Sequence, residues 1–167
     1  YMPSLEGKVA VVTGAAGGMG RVICDRLAGL GASVAAVDMN EEGITDLVGQ
    51  LSKKHAAKCI SVSCDVSSSK SVKQMTGKVE SELGHTNILI NGAGYLQLVS
   101  FLDLTEEDWD KMLDVNLKSV FLVTQALLPG MMETDYGRVI TISSLAGKVG
   151  GIIAGIHYAT TKGAHLA

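Results

Sequence analysis

The chain has 167 residues, 47% of them hydrophobic, and carries 14 Lys and Arg against 17 Asp and Glu for a net charge of −3. That length suits one domain with a substantial core. The negative net charge, with no basic stripe visible, argues against a nucleic-acid binder, which gathers Lys and Arg on one face. No unbroken apolar run reaches the length of a membrane span, and no basic-then-apolar leader opens the sequence. The three cysteines, Cys24, Cys59 and Cys64, and the four histidines, His55, His85, His157 and His165, show no metal-ligand spacing. An odd set of thiols of this kind reads as free cysteines in a reducing, cytoplasmic compartment.

Val9 to Val12 is a short β-branched run, the mark of a strand buried on both faces. Thr13-Gly14 breaks it, and Gly14, Gly17, Gly18 and Gly20 fall within seven residues. A helix with Val22, Ile23, Leu27 and Leu30 on its apolar face follows. Ser33 to Asp38 reads as a second strand, and Glu41 to about His55 as a helix that buries Ile44, Leu47, Val48 and Leu51. Lys58 to Cys64 is a third strand. Ser67-Ser68-Ser69 offers an N-cap for a helix over Val72, Met75 and Val79 that ends near Leu83-Gly84. Asn87 to Asn91 is a fourth strand, followed by Gly92-Ala93-Gly94 and a loop to about Leu104. Thr105-Glu106-Glu107-Asp108 resembles a capping box that opens a helix over Trp109, Met112, Leu113 and Leu117. Pro129-Gly130 predicts its end. Gly137 to Ser143 is a fifth strand, Gly147 to Gly155 a loop, and a last helix starts near His157.

Alternating strands and helices predict a doubly wound parallel sheet with helices on both faces. Ligands of such sheets sit beyond the carboxyl ends of the strands. Gly14–Gly20, Asp38, Asp65, Asn91–Gly94 and Ser143-Ser144 all fall there. A glycine-rich strand-to-helix turn lets backbone amides and the helix dipole meet a phosphate, and an acid about 20 residues on, here Asp38, can bind a ribose. Tyr158 and Lys162 stand four apart on one helix face. An ammonium beside a phenol favours the phenolate and makes a general acid/base for an alcohol or ketone oxygen.

Thr13-Gly14-x-x-x-Gly18-x-Gly20, Asn91-Gly-Ala-Gly94, Asn116, Ser143-Ser144 and Tyr158-x-x-x-Lys162 together resemble the motifs of the short-chain dehydrogenase/reductase family, in order and over most of the chain. The resemblance implies a Rossmann-type sheet of order 3-2-1-4-5 in a single nucleotide-binding domain over 1–167. It implies an oxidoreductase that moves a hydride between NAD and a secondary alcohol or ketone. In that reading Tyr158 is the acid/base, and Lys162 holds the nicotinamide ribose and lowers the Tyr158 pKa. Ser144 binds the substrate oxygen, and Asn116 holds a relay water. Gly14, Gly17, Gly18, Met19, Gly20, Asp38, Met39, Asp65, Val66 and Asn91 to Gly94, with Tyr158 and Lys162, would line the cofactor. Asp38 repels a 2′-phosphate, and Gly17, Met39 and Asn40 bring no positive charge, so NAD is expected over NADP. Asp65 also reads as a simple turn residue. A homodimer or homotetramer is implied.

The sequence departs from the family pattern in three places. Gly92 replaces a second Asn, which would loosen the end of strand four. The Ser144-to-Tyr158 gap is one residue longer than usual, which leaves Ser143 as a rival for the serine role. Family members continue well past the Tyr-x-x-x-Lys helix with further strands and a substrate cap, so the chain reads as a fragment. Tyr95 to Phe101 and Lys148 to His157 would line part of the substrate pocket. Two rival functions remain: a 3-oxoacyl-thioester reductase acting on acyl carrier protein, which predicts a basic patch and NADPH, and a nucleotide-binding module without turnover.

Overall fold

Five Val-, Ile- and Ala-rich runs become strands: β1 (Val9–Thr13), β2 (Ser33–Asp38), β3 (Cys59–Ser63), β4 (Ile88–Asn91) and β5 (Arg138–Thr141). They are seen in a computed structural model that describes residues 4–151 and 155–167. Every pairing is parallel and the order is β3-β2-β1-β4-β5, the doubly wound α/β arrangement that the alternating pattern predicts. The helices are α1 (Gly18–Gly29), α2 (Glu41–Lys54), α3 (Ser69–Leu83), α4 (Glu106–Leu113), α5 (Ser119–Glu133), α6 (Ala146–Val149) and α7 (Ile156–Ala164). A π-helical turn, Asp114–Lys118, joins α4 to α5.

Strand alternation splits the core into two layers. Val9, Val11, Val37, Val62 and Leu89 point to one face and meet Val72, Met75 and Val79 of α3 and Val123, Leu127 and Met131 of α5. Ala10, Val12, Val34, Ile88 and Ile90 point to the other and meet α1 and α2. Each fully buried Val, Leu, Ile or Met contributes about 1.5–3 kcal/mol of apolar transfer. β5 is the outer strand, with Val139 and Ile140 exposed.

Four expectations change. The buried stripe of α1 is Gly20, Cys24 and Ala28; Ile23 and Leu27 pack partly against that layer, but Val22 is 69% exposed. Small residues take the core face because the helix starts hard against the turn it leaves. The helix expected to stop at Pro129-Gly130 runs through them to Glu133. Burial of Leu127 and Met131 on either side holds it, so packing overrides the missing amide. The Gly147–Gly155 loop contains the helical turn α6; residues 152–154 lie outside the described residues. Finally, the rod Glu106–Glu133 is long and apolar enough to cross a membrane by length and composition, which inspection for an unbroken apolar run misses. Within this fold, Met112, Val123, Leu127 and Met131 of that rod are buried.

Candidate active site

The strand ends meet at one edge of the sheet. After Thr13 the chain turns at Gly14, whose φ is +71°, a conformation only glycine adopts freely. A Cβ there would lie 2.7 Å from the Gly92 carbonyl oxygen. A Cβ on Gly20 would collide with the Gly14 carbonyl oxygen and stand 2.7 Å from the Ala15 Cα. Thr13 ties the turn to β4: its Oγ1 accepts from the amides of Gly92 (3.1 Å) and Ala93 (3.2 Å). The end of β4 is therefore bound, not loosened. Gly92 suits this site because a Cβ would approach the Thr13 carbonyl oxygen to 2.8 Å.

The N-terminus of α1 is bare. Gly17 supplies no side-chain cap and no acid stands in the first turn. Asn40, Ser68 and Thr105, by contrast, cap α2, α3 and α4 with side-chain oxygens. The α1 amides are thus left to an outside acceptor, and space at Gly18 is open. Met19 and Met39 lie exposed beside this edge. Asp38 Oδ2 accepts from Ala16 N and Oδ1 from Asn40 N, each at 3.0 Å. Arg21, unmarked by any sequence motif, braces the turn through Ala16 O (3.2 Å), Gly43 O (2.8 Å) and Asp46 (3.1 Å).

Asp65 is a turn residue: its Oδ1 accepts from Ser67 N (2.9 Å) and Ser67 Oγ (2.6 Å). The Val66 side chain belongs to the core. Asn91 is buried and donates to Thr124 Oγ1 at 3.2 Å. Asn116 lies fully buried in the π turn. It clamps the loop after β4 by accepting from Tyr95 N and donating to Tyr95 O, both at 2.9 Å. Gly94 passes so near that a Cβ would be 3.1 Å from Asn116 Oδ1.

β5 and α7 bring the remaining groups. Lys162 is 6% exposed; its Nζ lies 5.8 Å from the Tyr158 ring centroid and donates to Ile142 O at 2.7 Å. Burial holds its ammonium below the ordinary 10.5. The two serines differ. Ser143 Oγ donates to Lys162 O at 2.7 Å and so braces α7 on β5. Ser144 Oγ accepts from Ala146 N at 3.2 Å, a bond that leaves its hydrogen uncommitted. Sequence reading placed His157 only at the end of a pocket-lining stretch and gave no role to His165, the C-cap of α7. His157 is fully buried and faces Gln97 at 3.4 Å; Gln97 in turn donates to Asp108 at 2.8 Å. His165 reaches Asn116 O. Its spacing of seven from Tyr158 was the signal available.

A sequence profile of the short chain dehydrogenase family matches residues 8–167. The chain belongs to the short-chain dehydrogenase/reductase family. Among the curated members it resembles, it is 40% identical over 145 residues to D-threitol dehydrogenase of Mycolicibacterium smegmatis, covering 87% of this chain and 55% of that protein. It is 34% identical over 150 residues to the 3-oxoacyl-[acyl-carrier-protein] reductase FabG of Escherichia coli, covering 88% and 59%. Among solved family members, NAD+-bound xylitol dehydrogenase superposes with a TM-score of 0.90 at 32% identity, over 96% of this chain and 62% of that one. A glucose/ribitol dehydrogenase from Brucella melitensis superposes with a TM-score of 0.89 at 26% identity, over 98% and 67%. The chain thus spans between about half and two thirds of the length of these relatives.

Proposed function

We propose that this chain provides the cofactor-binding and catalytic part of an NAD-dependent oxidoreductase for secondary alcohols and ketones. The observation that carries the reading is the buried Lys162 ammonium, 5.8 Å from the Tyr158 ring centroid and one helical turn along α7. The bare α1 N-terminus and the open space at Gly18 fit a pyrophosphate. Asp38, held beside that turn by Ala16 N, fits an unphosphorylated ribose. Gly14, Gly17, Met19, Gly20, Met39, Asp65, Val66 and Asn91 to Ala93 would form the rest of the cofactor's bed, with Gly94 behind Asn116. Bound NAD supplies the hydride acceptor at the substrate carbon. Tyr158 takes the alcohol proton, Lys162 supplies the neighbouring charge, and Ser144 binds the substrate oxygen through its free hydroxyl hydrogen. Ser143 is a brace, and Asn116 sets the loop that precedes the substrate pocket. Relatives named for threitol and xylitol make polyols the first substrates to try. A homo-oligomer is expected, with Phe121 and Leu128 exposed on α5 as the contact face; light scattering on a sizing column tests it.

The test is titration with NAD and NADP, followed by hydride-transfer assays on a panel of secondary alcohols. Tyr158→Phe should lower turnover by about 100-fold or more. NADP preferred over NAD, with turnover of a 3-oxoacyl thioester, would favour the FabG-like reading. Binding without turnover would favour a nucleotide-binding module. Failure of a cooperatively folded chain to bind either nucleotide would defeat the cofactor assignment.

A further inference from the structure

The loop after β4 and the start of α7 meet across a chain of three polar side chains. From Tyr95 to Ser100 the loop alternates: Tyr95, Gln97 and Val99 are half-buried, while Leu96, Leu98 and Ser100 are exposed. Gln97 turns inward, and its Nε2 donates to Asp108 Oδ1 at 2.8 Å. Thr105 holds Asp108 in turn, its Oγ1 donating to Asp108 Oδ2 at 2.8 Å in the cap of α4. On the other side, Gln97 Oε1 faces His157 Nε2 at 3.4 Å. His157 is fully buried and directly precedes Tyr158 on α7. The proposed function gives neither Gln97 nor His157 a part.

Chemistry fixes the direction of each bond. The Asp108 carboxylate only accepts, and the hydrogen bonds from Gln97 and Thr105 hold it below the ordinary 3.8. Turning the Gln97 amide over would set its oxygen against that carboxylate, so the NH2 group stays on Asp108 and the oxygen on His157. That oxygen also only accepts, so His157 Nε2 carries the hydrogen of the neutral ring. Nδ1 keeps the lone pair and is buried with no hydrogen-bond partner among the described residues. The ring fits because the N-cap of α7 is Gly155. A Cβ there would stand 2.5 Å from His157 Cε1, 2.7 Å from Nδ1 and 3.5 Å from the Val99 carbonyl oxygen of the same loop. The φ of Gly155 is −53°, open to any residue, so this glycine serves the ring and not the turn.

We propose that Gln97 and His157 are positioning residues that hold the pocket loop in register against the catalytic helix. The inference rests on the Tyr158 reading above. The Asp108–Gln97–His157 chain joins the loop, the capped start of α4 and the turn of α7 that carries Tyr158. The loop thereby keeps one distance and one register relative to the acid/base. A slip of one residue in an alternating segment exchanges its two faces. Here it would put Gln97 outside and bury Leu96 and Leu98. With Gln97 held, both leucines stay on the open side, as a fixed apolar wall for the alcohol. Without the tie, each binding event must order the loop first, and that cost weakens substrate binding. The proton and hydride steps at Tyr158 are unaltered, so the loss is read in KM and not in kcat.

Two measurements on the full chain decide it. In the first, Gln97→Leu removes both bonds, and Gln97→Glu sets a second carboxylate against Asp108. Each should raise the alcohol KM by about 5-fold or more, the worth of one hydrogen bond, with kcat within about 2-fold of the wild type. Adding Asp108→Asn to Gln97→Glu puts an NH2 group before the new carboxylate and keeps an oxygen for Thr105. The double variant should therefore fold and return KM to within about 2-fold of the wild type. It decides even where Gln97→Glu alone does not fold. An unmoved KM, a loss carried by kcat, or a rise that Asp108→Asn does not relieve overturns the proposal. In the second, nitrogen NMR follows the His157 ring. The neutral ring should carry its hydrogen on Nε2, and that resonance should move in Gln97→Leu. The other tautomer, or an unmoved resonance, overturns the tie whether or not the chain turns over. A wild type with the expected resonances but no hydride transfer to any alcohol defeats the catalytic reading instead, and the positioning role falls with it.

Discussion

Gly20 and Gly18 look alike in a glycine cluster and do different work. A Cβ on Gly20 meets backbone atoms of Gly14 and Ala15 that cannot swing aside, so Gly20→Ala should cost about 1–3 kcal/mol. Gly18 opens α1 into free space. There Ala removes backbone entropy from the unfolded chain, and Gly18→Ala should keep or raise stability by up to about 1 kcal/mol. It should also weaken NAD binding, because the new methyl stands where the proposed pyrophosphate lies. Urea melts with and without NAD separate these effects. A Gly18→Ala variant that binds NAD like the wild type would contradict the cofactor bed. The cluster was legible because only a glycine-rich turn joins a buried strand to a helix this way. Which glycine serves packing and which serves the ligand was not, since that depends on groups about 80 residues apart in sequence, such as the Gly92 carbonyl against Gly14. The same limit applied to the serines: adjacency in sequence gave no sign that Ser143 is spent on Lys162 O.

At the scale of elements, start signals were more readable than stops. Thr105 and Asp108 form the expected cap, with Asp108 N donating to Thr105 Oγ1 at 3.1 Å, and Ser68 caps α3 as its serine run suggests. These signals are local and carry their own hydrogen bonds. Pro129 is a stop signal only where nothing beyond it packs. It leaves the Gln125 carbonyl without its helical donor, yet the buried Met131 beyond it keeps the next turn helical. The cost remains in the folded state. Pro129 is itself exposed, so Pro129→Ala should raise stability by about 1–2 kcal/mol: roughly 3 kcal/mol of propensity is regained, less the entropy that Pro removes from the unfolded chain. Thermal and urea unfolding measure it, and a destabilised variant would mean that the proline ring packs productively at that turn. The π turn had no sequence signature. Its Val115 and Asn116 carbonyls are taken by Ser119 Oγ (2.6 Å) and His165 Nε2 (2.8 Å), partners that only the assembled fold supplies.

The whole molecule responds to pH through groups that burial has displaced. Lys162 and His165 are held below 10.5 and 6.5. Between each depressed value and the ordinary one, the unfolded chain binds more protons, so stability rises with pH through both windows. Asp25, beside Lys54 and His55, and Asp108, beside Gln97 and Thr105, are held below 3.8. Their contribution is complete above 3.8 and is lost as pH falls through the depressed values. The thiols act the other way. Burial pushes Cys24 from 9.0 up to about 12 and raises Cys59 and Cys64 as well. Above 9.0 the unfolded chain sheds thiol protons that the folded chain keeps, so stability falls. For fully buried Cys24 that loss is about 1 kcal/mol from pH 9 to 10. Urea midpoints from pH 4 to 10 should therefore climb up to 6.5 and decline above 9, where the three raised thiols together outweigh the opposing rise from Lys162. Cys24→Ala should flatten the alkaline decline, and His165→Asn should flatten the rise just below 6.5. An alkaline decline unchanged in Cys24→Ala would show that its thiol is not the group that resists ionisation, and would shift the effect to Cys59 and Cys64, which variants at those positions then assign.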